Sequence, residues 1–255
     1  MLHSHEALDR SGGLTRSGML APLRHRDFRL LWGAMCISLL GDGAFLIALA
    51  WQVYALSDAP TALALVGIAM TVPTIVFLLL GGVVSDRRDR RTIMIAADVA
   101  RGLSVALMAG LAIGGQLQLW HLVVLAAIYG SGSAFFAPAF DAIVPDVLSG
   151  RSLAQANALD QLARPVMLRF AGPALGGAVV GFGGSGAVFA LDAASFAASA
   201  VGLVLMRPAP RRAVASGASV RDDLLVGWRY VRERSWLWVT FVSAAVAYLL
   251  FMGPV

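Results

Sequence analysis

A single aspartate lies near the middle of the first long apolar run of the chain. Asp42 stands between Gly41 and Gly43, within residues 30–56. A carboxylate at that depth of a membrane-spanning helix costs about 2.5–3.5 kcal/mol on insertion scales. The flanking glycines weaken the helix and let another backbone, a water molecule or a substrate approach closely. This pattern predicts a site of reversible protonation; the alternative is a structural carboxylate that caps a broken helix or pairs with an arginine.

Two more charged residues are predicted inside membrane spans. Arg169 lies about a third of the way into a predicted fifth span, residues 158–182, and Asp192 lies in a predicted sixth span, residues 187–206. An unpaired guanidinium is expensive at such a depth, so Arg169 needs a partner. Asp42 and Asp192 are both candidates by depth, and the sequence does not choose between them.

A short charged turn separates the apolar runs 61–84 and 93–113. Its four arginines are Arg87, Arg88, Arg90 and Arg91. Positive charge in short loops resists translocation, so this turn is predicted to be cytoplasmic. If the turn is cytoplasmic, the N-terminus is cytoplasmic too. The protein is predicted to be a multi-pass protein of the inner (plasma) membrane.

Asp98 and Arg101 follow the charged turn, three residues apart and therefore on one helix face. They are predicted to lie about one turn inside the cytoplasmic edge. From there they are expected to bond to Asp86 and Arg90 and lock a cytoplasmic gate. The alternative is that Arg101 only extends to the membrane interface.

The composition excludes several classes of protein. Of the 255 residues 58% are hydrophobic, and the mean hydropathy is +0.76, whereas a soluble domain is about 45–50% apolar. The charge of +5 comes from arginines next to apolar runs, which indicates membrane topology and not nucleic-acid binding. The single Cys36 and four scattered histidines predict no disulfide, metal site, cofactor or enzymatic activity. There is no nucleotide-binding G-x-x-x-x-G-K-[ST] sequence, so an ion gradient is the expected energy source.

The apolar runs divide the chain into four predicted segments. A partly disordered cytoplasmic tail, 1–28, precedes a six-helix bundle, 29–206. Residues 207–235 form a cytoplasmic linker in which Leu224, Leu225, Trp228 and Val231 predict an amphipathic helix. An apolar run, 236–255, begins a seventh span.

The charged turn also carries a family resemblance. Gly82, Asp86, Arg87, Arg90 and Arg91 resemble the G-x-x-x-D-R-x-G-R-R loop between helices two and three of the major facilitator superfamily. The D-R-x-D-R-R form found here looks like its drug and siderophore exporter subgroup, which includes enterobactin exporters and transmembrane secretion effectors. The alternative is a generic positive-inside turn.

A second stretch resembles part of the antiporter signature of that superfamily. Its residues are Gly172, Pro173, Gly176 and Gly177, read as G-P-x-x-G-G. Small residues permit close helix approach, and proline bends the helix. Packing alone is an equal alternative. Ala126 stands where many proton-coupled exporters carry a coupling arginine, so that residue's role does not transfer.

The resemblance implies an all-α membrane fold: the N-terminal six-helix bundle of a major facilitator transporter, a 3+3 inverted repeat, plus the start of a seventh span. The stretches 41–45 and 130–135 share a glycine-rich pattern in spans one and four, as inverted repeats do. The implied function is proton-coupled efflux of a small amphiphilic compound. Uptake or lipid transport on the same scaffold, and a non-transporting scaffold or receptor, are the alternatives.

The implied partners are the small-molecule substrate, protons, membrane lipid, and either a missing C-terminal half or a second copy of the chain. Transporters of this family usually have about twelve spans in two halves. The chain is therefore expected to come from an interrupted or incompletely recorded gene and not to transport alone.

Overall fold

The computed structural model describes residues 20–207, 229–230 and 232–252, and every regular element in these ranges is helical. The chain divides into two units, Met1–Arg212 and Ala213–Val255. The long helices of the first unit are α1 (Arg26–Leu56), α2 (Pro60–Arg87), α3 (Arg90–Ile113), α4 (Leu119–Val147), α5 (Gly150–Pro165) and α6 (Gly172–Leu205). A short 3-10 turn, Ala21–Arg24, precedes α1, and a π-helical segment, Val166–Ala171, joins α5 to α6.

The second unit contains α7 (Ser235–Met252), which covers most of the predicted start of a seventh span. The predicted amphipathic helix in the linker, and the tail before residue 20, lie outside the described residues.

Five helical stretches in the described ranges are long and apolar enough to cross a membrane: α1, α2, α3, α4 and the continuous segment 150–205. The prediction of an all-helical, multi-pass membrane protein is confirmed. Only 6% of the most apolar stretch of α2 is buried in the structure, against 50–56% of the corresponding stretches of α1, α3 and α4.

Asp89 begins α3. Its carboxylate accepts hydrogen bonds from the backbone N–H of Thr92 at 2.9 Å and from the Thr92 hydroxyl at 2.5 Å. Such an N-cap satisfies one of the backbone donors that a helix leaves free at its start. Asp89, which stands where the G-x-x-x-D-R-x-G-R-R motif has glycine, therefore stabilises the start of α3.

Residues 141–156 are helical except for Leu148 and Ser149, because α4 continues to Val147 and α5 begins at Gly150. The helix α4 runs through Pro145. Arg90 holds this last turn: its guanidinium donates to the Ala142 carbonyl at 2.8 Å and to Asp146 at 2.5 Å.

Gly184 interrupts α6. Its φ of 72° and ψ of 177° are outside the helical region, in a conformation that only glycine adopts readily. The contacts with α1, in chain order along α6, are Gly172 with Leu40, Gly176 with Ala44, Ser185 with Gln52, Asp192 with Gly41, and Gly202 with Ala34. Residues 172–183 thus run parallel to α1, and residues 185–205 run back along it. A single glycine marks the reversal, where the sequence predicted a four-residue turn.

Two apolar clusters form the core of the first unit. One contains residues 28–36 of α1 and 93–97 of α3, and the other contains residues 44–53 of α1 and 105–109 of α3. The levels between them, around Asp42 on α1 and Arg101 on α3, carry the buried charges. Charged side chains are therefore enclosed by apolar packing on both sides.

Candidate functional site

Asp42 lies near the middle of α1. Its Oδ1 accepts a hydrogen bond from the Tyr129 hydroxyl of α4 at 2.6 Å, and its Oδ2 lies 3.9 Å from Nη1 of Arg101 on α3. About 13% of the Asp42 side chain is exposed, against 0% for that of Asp98. Asp42 is therefore the more accessible of these two carboxylates.

Arg101 is buried at 4% exposure. Its Nη2 donates to Asp98 Oδ1 at 2.5 Å, and its Cζ lies 4.6 Å from the centre of the Phe136 ring and 4.4 Å from that of Phe196. A guanidinium between two aromatic faces is attracted by both rings, more strongly where water is excluded. Its Nε has no hydrogen-bond partner in the described part of the chain.

Asp98 of α3 binds the part of α6 that follows Gly184, because the Ser199 hydroxyl donates to Asp98 Oδ2 at 2.6 Å. Within α6, the Ser195 hydroxyl donates to Asp192 Oδ1 at 3.1 Å. Asp192 is fully buried, and its Oδ2 has no hydrogen-bond partner among the residues that the structure describes. We call Asp42, Asp98, Arg101 and Asp192 the buried belt. It contains three carboxyl groups and one guanidinium, and the guanidinium lies at ion-pair distance from two of them, Asp42 and Asp98.

Glycines let α6 approach α1 at this level. A Cβ built on Gly43 would lie 2.8 Å from the Leu168 carbonyl and 3.0 Å from Cα of Gly172. A Cβ on Gly176 would lie 2.7 Å from the backbone of Ala44. These distances are too short for any side chain, so the glycines on both sides of Asp42 set the helix separation.

A family model described as transmembrane secretion effector matches residues 17–253 of the chain. The chain belongs to this family of the major facilitator superfamily. It is 28% identical over 204 residues to an uncharacterized transporter of the major facilitator type from Bacillus subtilis, covering 80% of this chain and 47% of the relative.

Two further relatives of this transmembrane secretion effector chain are named as efflux proteins. One is a multidrug efflux pump of Mycolicibacterium fortuitum, 27% identical over 75% of this chain and 48% of the pump. The other is a macrolide efflux protein of Streptococcus pyogenes, 26% identical over 46% of this chain and 29% of that protein. The chain spans about half the length, or less, of the curated relatives it matches. No solved structure matches it.

The structure differs from the predicted pairing of Arg169 with Asp42 or Asp192. Arg169 is exposed on the π-helical segment and makes no ion pair with the described residues. Arg101 lies next to Asp42 instead. Arg101 was expected one turn inside the membrane edge, but α3 begins at Arg90, so Arg101 lies about 17 Å along the helix axis.

The predicted lock between the pair Asp98–Arg101 and the charged turn is also wrong for its described members. Asp98 and Arg101 bind each other, Asp42 and Ser199, while Arg90 binds Asp146 and the end of α4. The distance along α3 again explains the difference. The Asp86 side chain lies outside the described residues.

The remaining motif residues differ in their exposure and in how closely other helices approach them. Arg91 donates to the carbonyls of Leu203 at 2.7 Å and Val204 at 2.5 Å, at the end of α6. Arg87 is exposed, and a Cβ would fit freely at both Gly82 and Gly177. In the antiporter-like stretch Gly172, Pro173 and Gly176 contact α1. Packing is their observed role.

Sequence reasoning missed Tyr129, Ser195 and Ser199. One signal was present for Tyr129: a hydroxyl-bearing ring directly before the glycine pattern at 130, in an otherwise apolar helix. The serines lie three and seven residues after Asp192, which places them on its helix face.

Proposed function

We propose that this chain forms the N-terminal bundle of a secondary active exporter that moves a small amphiphilic compound outward in exchange for protons. The observation that carries the proposal is the buried belt, with three carboxyl groups and one guanidinium between two apolar clusters. Fully ionised, it would leave a net negative charge in a dry interior, which is prohibitively expensive. The belt must therefore bind protons, and a gain or loss of protons changes its stability.

Asp42 is the proposed exchange site. It is more accessible than Asp98, and it lies 3.9 Å from a guanidinium that Asp98 holds more closely. Protonated Asp42 needs no cation, whereas ionised Asp42 draws Arg101 toward α1. Asp192, without a cation within ion-pair distance, is proposed to stay protonated. Proton binding thus shifts Arg101 between carboxylates on different helices.

The bundle is proposed to have six crossings, because residues 150–205 include the reversal at Gly184. Its proposed internal 3+3 repeat is supported by matching contacts. Gly81 lies against Ala134 as Gly172 lies against Gly43, and Gly132 lies against Arg101 as Gly41 lies against Asp192. Equivalent residues in these pairs are all 91 positions apart. Gly102 and Ala193, also 91 apart, lie near each other, as residues on a twofold axis must.

The orientation remains a proposal: N-terminus and arginine turn in the cytoplasm, and the protein in the inner membrane. Cysteine labelling tests it in a Cys36→Ala background. Gln116→Cys and Phe182→Cys, both exposed, should react with an impermeant reagent from outside, and Ser149→Cys should not. The reverse pattern would contradict the orientation.

Roles for Arg169, for Asp86 and for a missing second half or a second copy are likewise proposals. An exposed Arg169 on the π-helical segment is free to meet substrate or another bundle. The efflux direction is supported by two relatives that are named as efflux proteins, and flux measured in inverted vesicles distinguishes it from uptake or lipid transport.

The direct test of proton binding uses the chain in lipid nanodiscs. Infrared difference spectra across a pH titration should show a protonated-carboxyl band that Asp42→Asn removes in part. Asp58→Asn, an exposed carboxylate between α1 and α2, is the matched control and should leave the buried band unchanged. An Asp42→Asn spectrum identical to that of the wild type would remove Asp42 from the mechanism.

The transport test is dye efflux, with and without a proton gradient, from vesicles that contain the chain by itself or together with a second half. The chain by itself is expected not to transport, and gradient-driven flux that disappears in Asp42→Asn but not in Asp58→Asn would show that two copies form a working transporter. A scaffold or receptor would tolerate even Asp42→Leu without loss of function, and that result would overturn the exporter proposal.

A further inference from the structure

A cavity of about 390 Å³ lies between the beginnings of α1 and α5 and the last turns of α4. Its apolar lining includes Phe28, Trp32 and Phe140. None of the buried-belt residues lines it. This volume is within the range of pockets that take small organic ligands.

The polar lining of the cavity is mainly acidic and amide. It comprises Asp141, Asn157, Asp160 and Gln161. Two polar atoms of lining residues are buried without a hydrogen-bond partner in the described chain: Oδ1 of Asp160, an acceptor, and Nε1 of Trp32, a donor. Buried polar atoms normally have partners, so these two need a ligand or water.

Arg164 shows which chemistry this region holds. Its Nε donates to Asp160 Oδ2 at 2.6 Å, its Nη2 lies 3.7 Å from Asp141 Oδ1, and its Cζ lies 5.2 Å from the centre of the Phe140 ring. A cation is thus already held by carboxylate and aromatic face together. One guanidinium for two carboxylates leaves a negative surplus at the cavity.

We propose that this cavity binds an amphiphilic amine that also carries a hydroxyl group. The ammonium group donates to Oδ1 of Asp160, the hydroxyl oxygen accepts from Nε1 of Trp32, and an aromatic body packs between Phe28 and Phe140. The site is separate from the buried belt. The inference deepens the proposed function, on which it rests for the ligand being a transported compound.

The test uses propranolol, an aryl amino alcohol whose naphthyl ring fluoresces. Binding to the 255-residue chain in nanodiscs is measured by equilibrium dialysis, with empty nanodiscs subtracted for partition into lipid. Two analogues are compared: the neutral glycol, which has a hydroxyl in place of the amine, and the deoxy amine, which lacks the hydroxyl. Propranolol should bind at least tenfold more tightly than the glycol and severalfold more tightly than the deoxy amine.

Variants assign these differences to residues. Asp160→Asn should weaken propranolol binding at least tenfold. Asp146→Asn, a carboxylate of α4 that pairs with Arg90 and does not line the cavity, should change it less than twofold. Trp32→Phe keeps a ring but removes the donor, so propranolol and the deoxy amine should then bind equally.

The outcomes separate this inference from the proposed function. Propranolol binding is measured by dialysis without a proton gradient, so a failure of proton coupling in the infrared and efflux tests does not affect this result. Glycol binding as tight as propranolol binding, or wild-type affinity in Asp160→Asn, overturns the amine site. If Asp160→Asn does not fold, the three compounds on the wild-type protein decide the matter.

Discussion

The buried belt and the arginine turn, residues 87–91, both concentrate charge but bind it differently. In the belt one guanidinium pairs with Asp42 and Asp98, and a third carboxyl group, that of Asp192, is bound by Ser195. In the turn, Arg90 and Arg91 are satisfied largely by backbone carbonyls at the ends of α4 and α6, with one carboxylate, Asp146. Carbonyl oxygens do not titrate, so the contacts of Arg91 do not depend on the protonation of their acceptors. The belt holds more carboxyl groups than guanidinium groups, so its charge balance depends on bound protons.

The largest effect is expected in the belt, from Arg101→Leu. Removing the guanidinium leaves Asp98 and Asp42 buried without a cation, which costs about 3–5 kcal/mol in a buried ion pair. The thermal midpoint in detergent should fall sharply. Arg91→Leu, at the partly exposed turn, is the control and should cost less than about 1 kcal/mol. Equal midpoints for the two variants would erase the contrast between the regions.

The helix contact beside the belt should be next in sensitivity. Gly176→Ala places a Cβ 2.7 Å from the backbone of Ala44 and should destabilise the protein by about 1–3 kcal/mol. Gly177→Ala meets no atom within 4 Å and should stabilise α6 by about 0.5–1 kcal/mol. The two midpoints should therefore move in opposite directions. A shift of the same sign in both variants would contradict the close approach of α6 to α1.

Tyr129→Phe removes the hydrogen bond to Asp42 at a cost of about 2 kcal/mol, because the acceptor is a carboxyl group. Its specific readout is the infrared carboxyl band, which should shift in Tyr129→Phe and not in Tyr54→Phe, an exposed tyrosine on α1. A band that does not move would show that Tyr129 packs beside Asp42 without bonding to it.

The smallest effects are expected at the arginine turn. Asp89→Asn keeps the N-cap of α3 and should change stability by a few tenths of a kcal/mol, whereas Asp89→Ala should cost about 1 kcal/mol. Asp86→Asn, at the matched motif position, is predicted to damage gating more than Asp89→Asn. Dye efflux corrected for expression measures this. Equal losses would reduce the turn to a topological signal.

The helices, and a carboxylate inside one of them at Asp42, could be predicted from the sequence, because both signals are local. Apolar runs long enough to span a membrane appear directly in the sequence, and so does a carboxylate between glycines. The partner of Asp42 was not local. The partner depended on where α3 begins. The start of α3 predicted from the charged turn lay a few residues too close to Arg101. A shift of a few residues along a helix moves a side chain by several ångströms, enough to place it in the membrane interior or at its edge.

Two helix boundaries, the end of α4 and the reversal within α6, could not be predicted because proline and glycine each have more than one structural role. Proline often ends a helix, but α4 continues through Pro138 and Pro145. Glycine often allows two helices to pack closely, but Gly184 instead reverses the direction of the chain, whereas the glycines beside it keep helical backbone angles. Which of these uses applies depends on tertiary contacts, such as Arg90 with the end of α4. A single sequence does not contain them.

The π-helical segment sets the rotation of one half of a long helix against the other. Each such turn accommodates an additional residue, so side chains on α5 point about 100° away from where a continuous α-helix would direct them relative to α6. Deleting one residue between 166 and 171 would restore the α-helical register. Asp160 and Arg164 would then turn away from Phe140, while Gly172 and Gly176 kept their places against α1. The segment therefore fixes the angle between the side of α5 that lines the proposed amine-binding cavity and the side of α6 that packs against α1 near Asp42.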